Sequence, residues 1–150
     1  SVAGILDEES INSIPQKTVA AWHEDGDIDW LGQVEGMADL IAQHHVVVLP
    51  TSYGEGIPRI LIEAAAIGRP IVTTDVPGCR EIVKDQENGI LVAPRSPEQV
   101  ADAIRVLLKA PQKRETFGQE GRRHVERHFS NEKVMAMTQQ VYSELLEGQS

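Results

Sequence analysis

Two acids, Glu55 and Glu63, stand eight residues apart in the stretch of this sequence best suited to chemistry. The stretch runs Leu49-Pro50-Thr51-Ser52-Tyr53-Gly54-Glu55-Gly56-Ile57-Pro58-Arg59-Ile60-Leu61-Ile62-Glu63-Ala64. A continuous apolar run ends at Leu49, as a buried parallel strand would. A small polar loop over 51–56 follows, and Gly54 and Gly56 let a ligand come close to its backbone. The pattern predicts a helix from about Ile57, with Pro58 in its first turn. The free N–H groups and positive dipole end of such a helix suit a phosphate or a sugar hydroxyl. Glu63 sits among Ile60, Leu61, Ile62 and three alanines. A carboxylate there is either at the helix rim or desolvated at a cost. Both its oxygens accept, so it suits two adjacent hydroxyls such as those of a ribose. Glu55, on the loop, reaches a different part of the same ligand.

These residues need a frame, and the chain supplies alternating strand and helix patterns. Strands are predicted over 2–6, 28–31, 46–49, 71–73 and 89–92. Helices are predicted over 14–24, 37–43, 57–67, 78–84, 97–109, 112–129 and 131–147. Ser13 is the expected N-cap of the first helix, with Pro15 in its first turn. Gly68 and Pro70 stop the helix that carries Glu63. In the helix over 97–109, Val100, Ile104, Leu107 and Leu108 share a face. Repeated β-α units imply right-handed crossovers and a parallel sheet covered on both faces. Ligands of such sheets lie beyond the carboxyl ends of the strands, here the loops after Leu31, Leu49 and Thr73.

Composition removes several classes. With 150 residues and 41% apolar content, one folded domain is expected. A net charge of −9 and 4% aromatic residues argue against phosphate tracking and base stacking, so no nucleic-acid partner is expected. The single cysteine, Cys79, precludes an internal disulfide and fits a reducing compartment. No apolar run reaches membrane-spanning length. The opening Ser1-Val2-Ala3-Gly4-Ile5-Leu6 lacks the features of a signal peptide. It reads as a strand entered partway through a longer protein.

The Glu, seven residues, Glu-Ala arrangement resembles the donor motif of the family 4 (group 1) retaining glycosyltransferases, which have the GT-B fold. The surrounding blocks resemble that family in the same order. They are Trp30-Leu31-Gly32, Val46-Val47-Val48-Leu49-Pro50, Gly68-Arg69-Pro70-Ile71-Val72-Thr73-Thr74-Asp75 and Glu87-Asn88-Gly89-Ile90-Leu91-Val92. The resemblance implies a Rossmann-like α/β domain over 1–150, the nucleotide-sugar binding half of a GT-B enzyme. It implies that Glu63 holds the ribose hydroxyls. Glu55 would lie near the donor sugar and its anomeric centre as the catalytic residue, with an orienting and electrostatic role. Gly54, Gly56 and Ile57 would meet the sugar or diphosphate through the backbone, and the base would pack at Gln33 and Val34. Arg59 belongs to the same donor loop, although a solvated first-turn cation is its plainer reading. The Pro58-Arg59 variant resembles bacterial enzymes that extend polyprenyl-diphosphate-linked glycans from UDP-sugars.

The implied reaction transfers a hexose or N-acetylhexosamine, with retention, from a nucleotide diphosphate sugar to a glycan or lipid-linked acceptor. UDP is the nucleotide expected, without a cofactor or metal. The family's diphosphate-binding Arg/Lys pair belongs to a β-α unit upstream of Ser1, and the acceptor belongs to a separate N-terminal domain. The chain alone is therefore expected to bind nucleotide weakly and not to transfer. The last helix is expected to lack its usual partner surface, leaving self-association into a dimer as one outcome. The parent is expected in the cytoplasm, peripheral to the inner face of the membrane. A GT-B epimerase of UDP-sugars and a non-catalytic nucleotide- or partner-binding domain are the alternatives.

Other residues read more plainly. His44-His45 leads into the buried strand, and Arg122-Arg123 lies on a helix surface. His124 and His128 lack the Glu placement of a zinc protease helix. The run from His23 to Asp27 lacks the closing Glu of a calcium loop and reads as a solvated turn. Cys79 is read as a bystander thiol.

Overall fold

The structure, a computed structural model, describes residues 1–6, 13–52, 54 and 56–147. The run Asp7-Glu8-Glu9-Ser10, which reads from the sequence as a polar loop, lies outside the described residues. Contacts divide the chain into two compact units, Ser1–Met37 and Ala38–Ser150.

In the first unit, β1 (Val2–Ala3) and β2 (Trp30–Gly32) run parallel, joined through α1 (Gln16–Glu24). The predicted strand over 2–6 shortens to Val2–Ala3, and β2 begins at Trp30 rather than at Ile28. Ser13 does not cap α1. Pro15 takes the N-cap position with φ −57° and ψ 138°, and no side chain caps the helix. The extended ψ at Pro15 keeps it outside the first turn, so the helix starts at Gln16, two residues later than a Ser13 N-cap requires. Val19 is the buried residue of α1. The His23–Asp27 turn is less idle than its polarity suggests, because the Trp30 N–H donates to His23 Nδ1 at 3.2 Å. That bond ties the end of α1 to the start of β2.

The second unit begins with α2 (Met37–Gln43, its first residue at the boundary), followed by β3 (Val47–Leu49), α3 (Arg59–Ala66), β4 (Ile71–Thr74) and α4 (Pro77–Ile82). It continues with β5 (Gly89–Val92), α5 (Pro97–Lys109), α6 (Pro111–His128) and α7 (Asn131–Glu147). β3, β4 and β5 form a parallel sheet in that order, with Val48 opposite Val72 and Val72 opposite Ile90. All four residues of β4 are buried, as a central strand covered on both faces must be. On one face Val72, Ile90 and Val92 pack with Ala103 and Leu107 of α5 and Phe117 of α6. Thr73 points the other way, toward Cys79 of α4. α3 packs on β3, β4 and α6, and its Leu61, Ala64 and Ala65 are fully buried. Burying a side chain the size of Leu61 or Leu107 contributes about 1.5–3 kcal/mol relative to exposure.

α3 ends in a Schellman motif: the Gly68 N–H donates to Ala65 C=O and the Arg69 N–H to Ala64 C=O, both at 2.9 Å. Gly68 supplies the required positive φ of 78°. At its other end α3 departs from the expected 57–67 span. Pro58 is the N-cap, with φ −65° and ψ 120°, and the helix starts at Arg59. A residue before proline is disfavoured in helical geometry, which keeps Ile57 out of the helix. α6 starts at Pro111, a residue suited to a first helical turn. In α7 Val134, Met137, Val141, Tyr142 and Leu145 are all exposed. Among the described residues, no helix is long and apolar enough to cross a membrane.

Candidate functional site

The candidate site is built at the carboxyl edge of the β3-β4-β5 sheet. β4 fixes where β3 stops. The Thr73 hydroxyl donates to the Leu49 carbonyl at 2.7 Å, and the Thr74 hydroxyl donates to the carbonyl of Thr51. Two successive threonines, facing opposite ways, thus hold the segment that leads into the glycine loop. Thr73 Oγ1 also lies 3.2 Å from Cys79 Sγ. Its single proton is committed to Leu49, so the thiol is the donor in that contact. Cys79 is fully buried and joins this support rather than being a bystander.

Gly54 and Gly56 are exposed, and a Cβ built on either meets no described atom within 4 Å. Packing among the described residues therefore does not demand glycine at these positions. Ile57 is also exposed, while Pro58 is buried and anchors the turn into α3. The first described N–H to find a helical acceptor is that of Leu61, which donates to Pro58 C=O at 3.0 Å. The N–H groups of Arg59 and Ile60 come before it and are not used by the helix. Because α3 starts later than expected, these two groups replace that of Ile57 as the helix's own donors, and Gly56 and Ile57 belong to the approach loop.

Glu63 is at the rim. Its side chain is 28% exposed, and Arg59 Nε donates to its Oε1 at 2.7 Å. Arg59 is not simply a solvated cation, although its side chain is 90% exposed. Glu55 lies outside the described residues. Gln33 and Val34 follow β2 in the first unit, Gln33 exposed and Val34 half-buried. Gly54, Gly56, Ile57, Arg59 and Glu63 are carried together by one loop and helix start of the second unit.

Sequence reasoning passed over other polar residues at this edge. Asp75 follows β4, and Arg80 of α4 pairs with its carboxylate while donating to its backbone carbonyl at 3.1 Å. The hydrogen bond from Arg80, reinforced by its charge, holds the Asp75 carboxyl below its ordinary range. Arg80 is raised in turn, first by the same hydrogen bond and then by the carboxylate charge. Arg95, after β5, is exposed with φ 59°. The Asp75–Arg80 spacing across a strand end and a helix was the readable signal; nothing in the sequence singles out Arg95. His124, by contrast, is structural: its Nε2–H donates to Glu81 C=O at 2.8 Å, pinning α6 to α4. Arg69 reaches the Ala42 carbonyl at 2.5 Å and so caps the end of α2. Among the described residues, no group of three or more His, Cys, Asp or Glu side chains is placed to hold a metal ion.

A parallel α/β sheet with a glycine loop entering a helix beyond the carboxyl end of β3 matches the Rossmann-like C-terminal domains of GT-B glycosyltransferases. The family model described as "Glycosyl transferases group 1" matches residues 3–110, and the chain belongs to that family. The capsular polysaccharide biosynthesis glycosyltransferase CapM of Staphylococcus aureus is 29% identical over 145 residues, which are 97% of this chain and 37% of CapM. Sucrose-phosphate synthase of Thermosynechococcus elongatus superposes with a TM-score of 0.84 at 27% identity, over 97% of this chain and 38% of that one. HepE of Anabaena, solved in complex with UDP, superposes with a TM-score of 0.80 at 22% identity, over 97% of this chain and 40% of HepE. The chain thus spans about two fifths of the length of each of these proteins.

Proposed function

We propose that this chain is the donor-nucleotide half of a retaining glycosyltransferase that takes a hexose or N-acetylhexosamine from a UDP-sugar. The acceptor in this reading is a glycan or a polyprenyl-linked glycan, bound by a part of the enzyme outside this chain. The observation that carries the proposal is the loop and helix start from Gly54 to Glu63. There, exposed glycines, two N–H groups unused by α3 and a rim carboxylate follow one another on one strand edge. Family membership makes a sugar transferase the class of reaction. HepE was solved with UDP and shares the fold, which makes UDP the nucleotide to test first.

The chemistry follows from charge. Breaking the anomeric C–O bond leaves negative charge on the departing nucleotide diphosphate. N–H dipoles fixed at the start of α3 stabilise that charge without reorganising. Glu63 accepts from the two ribose hydroxyls and so sets the nucleotide's register. Glu55 is assigned an orienting and electrostatic role near the anomeric centre, on the family resemblance alone. Gln33 and Val34 are assigned the base on the same ground. Retention follows from attack by the acceptor hydroxyl on the leaving-group face. The reading uses no metal, and it places the enzyme in the cytoplasm at the inner face of the membrane.

Amide chemical shifts test the diphosphate contact. Titration with UDP is expected to move the Gly54, Gly56, Ile57, Arg59 and Ile60 resonances, and uridine is expected to leave them in place. Equal shifts with uridine would remove the diphosphate from the start of α3.

A further inference from the structure

Arg59 and Glu63 form an i,i+4 pair on the first turns of α3, and such a pair at a surface adds little to folding. The geometry of the pair is more informative than its strength. Arg59 Nε–H is committed to Glu63 Oε1 at 2.7 Å, and Oε2 has no partner among the described residues. The Arg59 Nη groups likewise have none, and the side chain is 90% exposed against 28% for Glu63. A half-buried carboxylate is thus held by one oxygen and open at the other. A freely rotating Glu side chain would lose rotamer freedom on binding a diol, and a held one has already lost it.

We propose that Arg59 is a positioning residue that fixes the Glu63 carboxylate so that its open acceptors discriminate ribose from 2′-deoxyribose. The proposal rests on the reading of Glu63 as the ribose acceptor. Lysine cannot reproduce the contact, because it has no Nε–H beside a planar guanidinium and its ammonium is a mobile point charge. The Arg59 side chain therefore acts on the sugar of the nucleotide through Glu63, while its backbone N–H remains with the start of α3.

The test measures the dissociation constants of UDP and 2′-deoxy-UDP for the 150-residue chain and for Arg59→Ala, Arg59→Lys and Glu63→Ala. The unsubstituted chain is expected to prefer UDP by about tenfold, the loss expected for one charge-assisted hydrogen bond. Arg59→Ala and Arg59→Lys should weaken UDP several-fold, leave 2′-deoxy-UDP nearly unchanged and shrink the preference to about twofold. Glu63→Ala should abolish the preference. If Arg59→Ala weakens both nucleotides equally, Arg59 serves the diphosphate and the proposal fails. If Arg59→Ala tightens UDP, Arg59 competes for Glu63 and the proposal fails. If the preference survives Glu63→Ala, or if the folded chain binds neither nucleotide, the underlying reading of Glu63 falls and takes this proposal with it.

Discussion

The hydroxyl of Thr73 donates to the carbonyl of Leu49 at 2.7 Å, so the central strand of the sheet fixes the point at which its neighbour ends. The glycine loop starts from that point. Replacing Thr73 with valine keeps the shape and leaves the Leu49 carbonyl without its donor. Thr73→Val is expected to cost about 1–3 kcal/mol in urea unfolding and to weaken UDP binding as the loop loses its anchor. Unchanged stability and unchanged UDP affinity would mean that the loop is held elsewhere.

Gly118 of α6 lies against the backbone of Gly68, and a Cβ on Gly118 would stand 2.0 Å from the Gly68 carbonyl oxygen. Backbone cannot rotate away, so α3 and α6 would have to separate. Gly118→Ala is expected to destabilise by about 1–3 kcal/mol, as overpacking does. A Cβ on Gly121, one turn on, would stand 3.6 Å from the Ala65 Cβ, an ordinary contact. Gly121→Ala should be neutral or gain up to about 1 kcal/mol from helix propensity. Equal losses at the two positions in thermal unfolding would contradict this difference.

The Asp75 carboxyl is held below its ordinary value of 3.8, mainly by the hydrogen bond from Arg80. A depressed folded value stabilises the protein above the unfolded value, and that contribution is lost as pH falls through the folded value. The window therefore lies below pH 3.8, in acid. Both side chains are about half exposed, so the effect on unfolding is small and the titration itself is the readout. In Arg80→Ala, the Asp75 carboxyl carbon should titrate at the ordinary carboxylate value by NMR. An unshifted titration would remove Arg80 as the cause.

Every described side chain of α7 is exposed. Removing residues 131–150 is therefore expected to change the unfolding free energy of the remainder by less than about 1 kcal/mol. A large loss in urea unfolding would mean that α7 supports the core.

Periodicity and punctuation made much of this fold legible. The spans of α2, β5, α5 and α7 match their patterns residue for residue, because apolar spacing and the Pro97 signal are local. The misplacements are local too. Proline marks a helix start but not whether it sits at the cap or inside it, and Pro15 and Pro58 both sit at the cap. The glycine loop and Glu63 were legible as a candidate site because the chemistry and its spacing lie in one short stretch. Its supports were not. Thr73 reaches Leu49 across 24 positions, Arg69 reaches Ala42 across 27, and His124 reaches Glu81 across 43. Such bonds are set by which strands and helices become neighbours and leave no spacing to read. For the same reason Cys79 reads from the sequence as a bystander thiol.

Saturation-transfer NMR of UDP, in competition with GDP and ADP, on the chain and on Glu63→Ala reads the contact between Glu63 and the ribose. The unsubstituted chain is expected to saturate the UDP ribose and base protons, with weaker signals from GDP and ADP, and Glu63→Ala to lose the ribose signal. Undiminished ribose saturation in a folded Glu63→Ala chain would take Glu63 away from the ribose and the donor-nucleotide reading with it.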